Sequence, residues 1–191
     1  MLKINPDRYG VIAQTFHWAT AVLVLIAFIY GLGGNEMRVY DAAHDFQRML
    51  HETLGMSVLA LVVLRLLWRL LDTRPAPAAA PRWMRLASTA VHGLLYGLLM
   101  ALPLTAIFGA WLEGHSLTLL AGVNITSPLP LAHALGQSLA EFHTLLGDAI
   151  MILAGLHAAA AIYHHLVLRD CVLKAMLPVW FKVWQPKKRW F

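Results

Sequence analysis

Four stretches of the 191-residue chain stay apolar for long enough to cross a hydrocarbon core about 30 Å thick, and polar segments separate them. The first covers about residues 14–33 and carries His17 and Trp18 in its opening turns. A short acidic loop, GGNEMRVYDAAHDFQ, leads to the second, about 48–71, with His51 near its start. The proline-alanine connector DTRPAPAAAPRW cannot continue a helix, so a third span begins near residue 84 and runs to 112. His92 lies in its first third and Pro103 is expected to kink it. Residues 113–139 mix Gly, Pro, Asn and Ser with weak apolar runs such as SLTLLAG and predict the longest loop. The fourth span, about 141–168, is followed by a basic, tryptophan-rich tail at 169–191 suited to the lipid interface. The pattern predicts an all-α integral membrane four-helix bundle, one domain over residues 1–191.

Composition removes the competing classes. With 59% hydrophobic and 13% charged residues and a mean hydropathy of +0.62, the chain is too apolar for a soluble domain. Lys3 and Arg8 resemble the basic end of a signal peptide, but the apolar run is too long and no A-x-A site follows, so the first span is expected to be retained. The net charge of +5 invites a nucleic-acid reading, yet the basic residues flank the spans, and no basic soluble domain exists to carry them. Their distribution predicts topology instead. Lys3, Arg8, Arg69, Arg74, Arg82, Arg85, Arg169, Lys174, Lys182, Lys187, Lys188 and Arg189 fall on the two ends and the second loop, twelve in all, against Arg38 and Arg48 elsewhere. Arg65 stays inside span two. Both termini are therefore expected in the cytoplasm of a bacterial inner-membrane protein. The single cysteine, Cys171, excludes an internal disulfide, a CxxCH haem attachment and a thiolate metal site.

The candidate chemistry lies in span four, EFHTLLGDAIMILAGLHAAAAIYHH. His143 and His157 are fourteen residues apart. On a helix that puts them within about 40° of one line and roughly 21 Å apart along it. Gly147, Ala154, Ala158 and Ala161 line the same face and leave room for something flat. A lone histidine in an apolar helix is usually a packing residue, so partners at matching depth decide the matter. The topology places His51 with His143 on the outer side and His17 with His157 on the inner side, on different helices at one depth. Gly55 follows His51 by one turn as Gly147 follows His143, a ligand with a small residue beneath it. Paired neutral imidazoles over a small-residue stripe suit two non-covalent iron porphyrins. A structural bundle without haem leaves four depth-matched histidines unexplained.

The residues that carry this pattern also carry a family resemblance. The H-W at 17–18, the H-x3-G with V-x-R-L-L-x-R-L at 51–70, and the H-x3-Y-x6-P-x5-G at 92–109 belong to it. So does the H-x13-H-A-x-A-A-x-x-H-H followed by R-D-x-x-L-x-x-M-L-P at 143–178. Over residues 8–178 the chain resembles the bacterial di-haem cytochrome b561 family, more closely its free-standing superoxide oxidase branch. The resemblance implies an inner-membrane four-helix protein with two b haems, and the family's ligands fall on His17, His51, His143 and His157. It also implies superoxide oxidation on the outer side, with ubiquinone reduced in the membrane. Thr144 stands where the related sequences usually have Glu, and the outer approach is poor in Lys and Arg, although an anionic substrate is normally drawn in by positive potential. The alternative is a cytochrome b anchor subunit linking a periplasmic dehydrogenase or hydrogenase to the quinone pool. Such subunits usually have longer chains, so this compact one favours a protein that works without a protein partner.

Other polar residues leave two roles open each. Arg65 and Arg69 either snorkel to the cytoplasmic surface or hold the inner haem's propionates, which a planar guanidinium suits. His92 is either an alternative inner ligand or a hydrogen-bond partner of haem or propionate. Asp148, inside span four and roughly 140° from the His143 face, is either functional or a helix-helix hydrogen bond. His164 and His165 end span four at the inner surface, where they are either solvated or, for His164 on the His157 stripe, the proton source for quinone reduction.

The topology is directly testable. A reporter active only in the periplasm is expected to be silent when fused after Phe191 and active when inserted near Asn124; the opposite pattern inverts the sidedness of both histidine pairs.

Overall fold

In the computed structural model, residues 8–31, 39–71, 80–178 and 180–181 are described. The connector at 72–79, Arg38, and the tail beyond Phe181 lie outside them, and so do the expectations placed there. The described chain forms four long helices: α1 (Val11–Ile29), α2 (Asp45–Leu71), α3 (Arg82–Leu112) and α4 (His133–Tyr163). A 3-10 turn, Ala42–His44, precedes α2, and the Asp41 carboxylate accepts the Ala43 N–H to start it. A π-helical turn, His164–Leu168, extends α4 and ends at Arg169, whose φ of 55° is left-handed. A short helix α5 (Val172–Met176) follows. All four long helices are apolar enough to span a membrane.

Two of these elements differ from the sequence expectation. The fourth helix begins at His133 rather than 141. Gly136 and Ser138, which read as loop residues, lie within it because Gly136 is where α4 meets α3. A Cβ at Gly136 would sit 2.7 Å from Glu113 Cγ and 3.0 Å from the Gly109 carbonyl, and one at Gly109 would sit 3.3 Å from the Gly136 carbonyl. Small residues let helices approach in lipid, where apolar side chains gain nothing by leaving the hydrocarbon. The preceding loop also contains a small antiparallel hairpin, β1 (Leu117–Thr118) with β2 (Asn124–Ile125). It is pinned to α2, where Glu52 accepts the Thr118 N–H at 2.6 Å and Thr53 Oγ1 accepts the Leu120 N–H at 2.9 Å. α3 continues through Pro103, which is buried.

The helices run alternately up and down. α1 packs along α2 and α3 along α4, with α2 against α3 joining the two hairpins, while α4 approaches the backbones of α1 and α2 only sparsely. The buried core is Val58, Val62, Leu99 and Ile150, with Leu23, Leu95 and Tyr96 packed on it. Ile150 is seven residues from both His143 and His157, so the apolar core separates the two histidine levels. At the end holding His17, the start of α1 is tied to α5. Tyr9 N–H donates to Ala175 O (3.0 Å), Gln14 Nε2 to the same carbonyl (3.3 Å), Trp18 Nε1 to Met176 O (2.8 Å) and Arg8 to Leu177 O (3.1 Å).

The α3–α4 contact is sensitive to one methyl group. Gly136→Val is expected to destabilise the bundle by about 2 kcal/mol through overpacking, seen as a lower thermal midpoint in detergent. An unchanged midpoint means that α3 and α4 are not in contact at this position.

Candidate cofactor site

Each long helix contributes one imidazole or more to two levels. At the level of the β hairpin, His51 on α2 and His143 on α4 have ring centroids 6.0 Å apart at an interplanar angle of 88°. Both are half-buried, and both Nδ1 atoms sit 2.8 Å from a backbone carbonyl, Ala27 O on α1 and Leu102 O on α3. A carbonyl only accepts, so each Nδ1 carries the proton and each Nε2 keeps its lone pair. A neutral imidazole oriented this way is set up as a metal ligand.

At the opposite level, His17 on α1 and His157 on α4 have centroids 6.4 Å apart at 73°. A third ring, His92 on α3, lies 5.2 Å from His157 and places its Nδ1 2.6 Å from Ser88 O. Its N–H is used within its own helix, so as a neutral ring it presents Nε2 as an acceptor, with no proton left to give a propionate. Arg65 turns inward. Its Nη2 lies 3.3 Å from His17 Nδ1, and Arg65 and Arg69 each stack 5.2 Å from the Tyr96 ring centre. Neither guanidinium has an acidic partner among the described residues.

Among the described residues no group of three or more His, Cys, Asp or Glu side chains converges on one metal position. What converges is pairs. An imidazole nitrogen binds a transition metal at about 2 Å, so two rings on opposite sides of one ion have centroids roughly 6 Å apart. The two centroid separations, 6.0 and 6.4 Å, match that distance. Two nitrogens complete an iron only where a planar macrocycle supplies the other four. A Cβ at Gly55 or Gly147, one turn beyond His51 and His143, would meet no atom within 4 Å. The residues present therefore fit a porphyrin at each pair.

The whole described chain, and not only these pairs, matches a known family. The family model for prokaryotic cytochrome b561 matches residues 8–179. The chain belongs to that family. It is 31% identical over 174 residues to "Cytochrome b561 homolog 2" of Escherichia coli, covering 91% of this chain and 93% of the relative. It is likewise 31% identical over 180 residues to "Probable superoxide oxidase CybB" of Yersinia pestis (90% and 96%). Identity to "Cytochrome b562" of Cereibacter sphaeroides is 31% over 169 residues (85% and 90%). As a cytochrome b561, the protein is a multi-pass bacterial inner-membrane oxidoreductase that binds haem b and transfers electrons in the quinone-containing membrane.

The remaining candidate residues fall into place unevenly. His164, on the π turn, pairs its Nδ1 with Asp170 Oδ2 at 2.5 Å, and Asp170 Oδ1 accepts the Val172 N–H. His165, expected at a solvated helix end, is buried at 5% exposure, because the wider π turn rotates it inward. Asp148 is exposed on α4 and makes no helix-helix hydrogen bond among the described residues. Arg48, expected from the sequence to lie on the outer approach, is already held by Asp45 (2.9 Å) and Glu52 (3.2 Å). Sequence reasoning missed Glu52 and Tyr40, which stack or bond around it: Arg48 lies over Tyr40, and Tyr40 stacks on His115 at 3.5 Å.

Proposed function

We propose that the protein holds two b haems, one between His51 and His143 and one between His17 and His157, and oxidises superoxide outside while reducing ubiquinone within the membrane. The observation that carries this is two imidazole pairs at ligand spacing on either side of an apolar core. The positive-inside pattern favours an outer position for the His51 pair and an inner one for the His17 pair. The superoxide assignment draws on the relative named as a superoxide oxidase. When bound, the haems supply one-electron relay between the two faces.

The protein's own groups do the rest. Ala27 and Leu102 carbonyls hold the outer imidazoles in the ligating tautomer. A haem held by two histidines would leave superoxide no place on the iron, so superoxide would give up its electron without binding there and leave as dioxygen. Arg65 and Arg69, which have no acidic partner among the described residues, offer their guanidiniums to the inner propionates, and His92 lies beside His157 at the same level. Ubiquinone takes up two electrons and two protons, so its site needs a proton donor near water. His164, oriented by Asp170 and seven residues beyond His157, is that donor. One observation favours a second function, an anchor passing electrons from a protein donor: Arg48 is neutralised by two carboxylates, which leaves the described outer face little attraction for an anion.

Pyridine haemochrome analysis is expected to give two haems per chain. His51→Ala and His143→Ala are expected to lose one of them, and His17→Ala and His157→Ala the other; loss of the same haem from His51 and His157 variants refutes the pairing. Protein purified in detergent is expected to be reduced by superoxide and reoxidised by ubiquinone with no other subunit, and failure of superoxide reduction alongside a co-purifying dehydrogenase supports the anchor. His164→Ala is expected to keep both haems and slow reoxidation by about 100-fold; unchanged reoxidation moves the quinone site elsewhere.

A further inference from the structure

The two imidazole pairs are held in opposite ways. At the outer pair each Nδ1–H donates to a backbone carbonyl at 2.8 Å. That donation makes the ring a stronger electron donor through Nε2. At the inner pair neither His17 nor His157 reaches a carbonyl among the described residues. The group at His17 Nδ1 is instead the Arg65 guanidinium, at 3.3 Å, which only donates. A His17 ring that gave Nε2 to a metal would carry its proton on Nδ1, where the guanidinium cannot accept it and leaves a fixed positive charge beside the ring. The ring is then a poorer electron donor, and a cation stands beside it.

The surrounding charges point the same way. Around the outer pair, Arg48 is matched against two carboxylates, Asp45 and Glu52, with Glu52 adjacent to His51 in the chain. Around the inner pair, Arg65 and Arg69 share the Tyr96 ring and have no acidic partner among the described residues. The nearest inner carboxylate in contact with a histidine, Asp170, is engaged with His164. Negative charge and electron-rich ligands stabilise the oxidised, more positive form of an iron centre, and positive charge with electron-poor ligands stabilises the reduced form.

We propose that Arg65 is a positioning residue for the inner haem: acting on His17, it holds that haem's reduction potential above the outer one's and gives the transmembrane electron path its direction. The proposal rests on the two-haem reading above. It assigns the direction to the chain itself, whatever donor works outside, since an electron delivered to either site settles at the inner one beside the quinone.

The test is potentiometric titration of the purified protein, followed by its haem absorption bands. Two midpoints are expected in the wild type, and the higher one is expected to vanish in His17→Ala and His157→Ala and to remain in His51→Ala and His143→Ala. Arg65→Gln, which keeps a polar side chain and removes the charge, is expected to shift the inner-to-outer equilibrium by about tenfold, or about 59 mV for one electron. The lower midpoint is expected to stay unchanged, and Arg65→Lys to keep most of the gap. A higher midpoint belonging to the outer haem, or an Arg65→Gln protein with both midpoints unmoved or moved equally, overturns the proposal while leaving two haems in place. One haem per chain overturns the two-haem reading and this inference with it. If Arg65→Gln does not accumulate, the wild-type assignment alone decides.

Discussion

A buried backbone carbonyl must find a donor, and in a membrane no water supplies one. Ala27 O, in the last turn of α1 where Tyr30 N–H bonds to Ile26 O and Gly31 N–H to Phe28 O, accepts from His51, and Leu102 O on α3 accepts from His143. Each bond joins the two helices of one hairpin, His51 of α2 to α1 and His143 of α4 to α3. The same contact therefore packs the hairpin, fixes the tautomer and leaves Nε2 free. Replacing either ring removes a helix-helix hydrogen bond along with the imidazole, so ring geometry and fold are not separable at this level.

The level of His17 and His157 follows a looser rule. Its rings face across the hairpins, with Arg65, Arg69, Tyr96 and His92 gathered around them in place of backbone acceptors. Between the levels, Ile150 lies at the midpoint of the His143–His157 stripe with Val58, Val62 and Leu99 around it. That apolar layer separates the two histidine levels, while α4, packed closely on α3, approaches the backbones of α1 and α2 only sparsely.

Much of this was legible in the sequence because membranes make the code simple. Four apolar runs separated by polar turns had one solution, and the fourteen-residue spacing of His143 and His157 set two depths before any partner was known. Where the sequence was silent, contacts between distant positions decided the outcome. Gly136 and Ser138 look like loop residues until Gly109 is seen against Gly136. The two-residue strands at 117–118 and 124–125 are too short for any periodicity and owe their place to Glu52 and Thr53. His165 turned inward through a π turn that no local residue announces. The contact of Arg65 with His17 spans 48 positions and is invisible to helical spacing.

The hydrogen bonds from Arg8, Tyr9, Gln14 and Trp18 to residues 175–177 tie the start of α1 to a segment that follows α4 in the chain. Synthesis makes α1 before those carbonyls exist, so the end of the bundle that holds His17 can close only once α5 has followed α4, whereas His51 and His143 can meet as soon as α4 is in place.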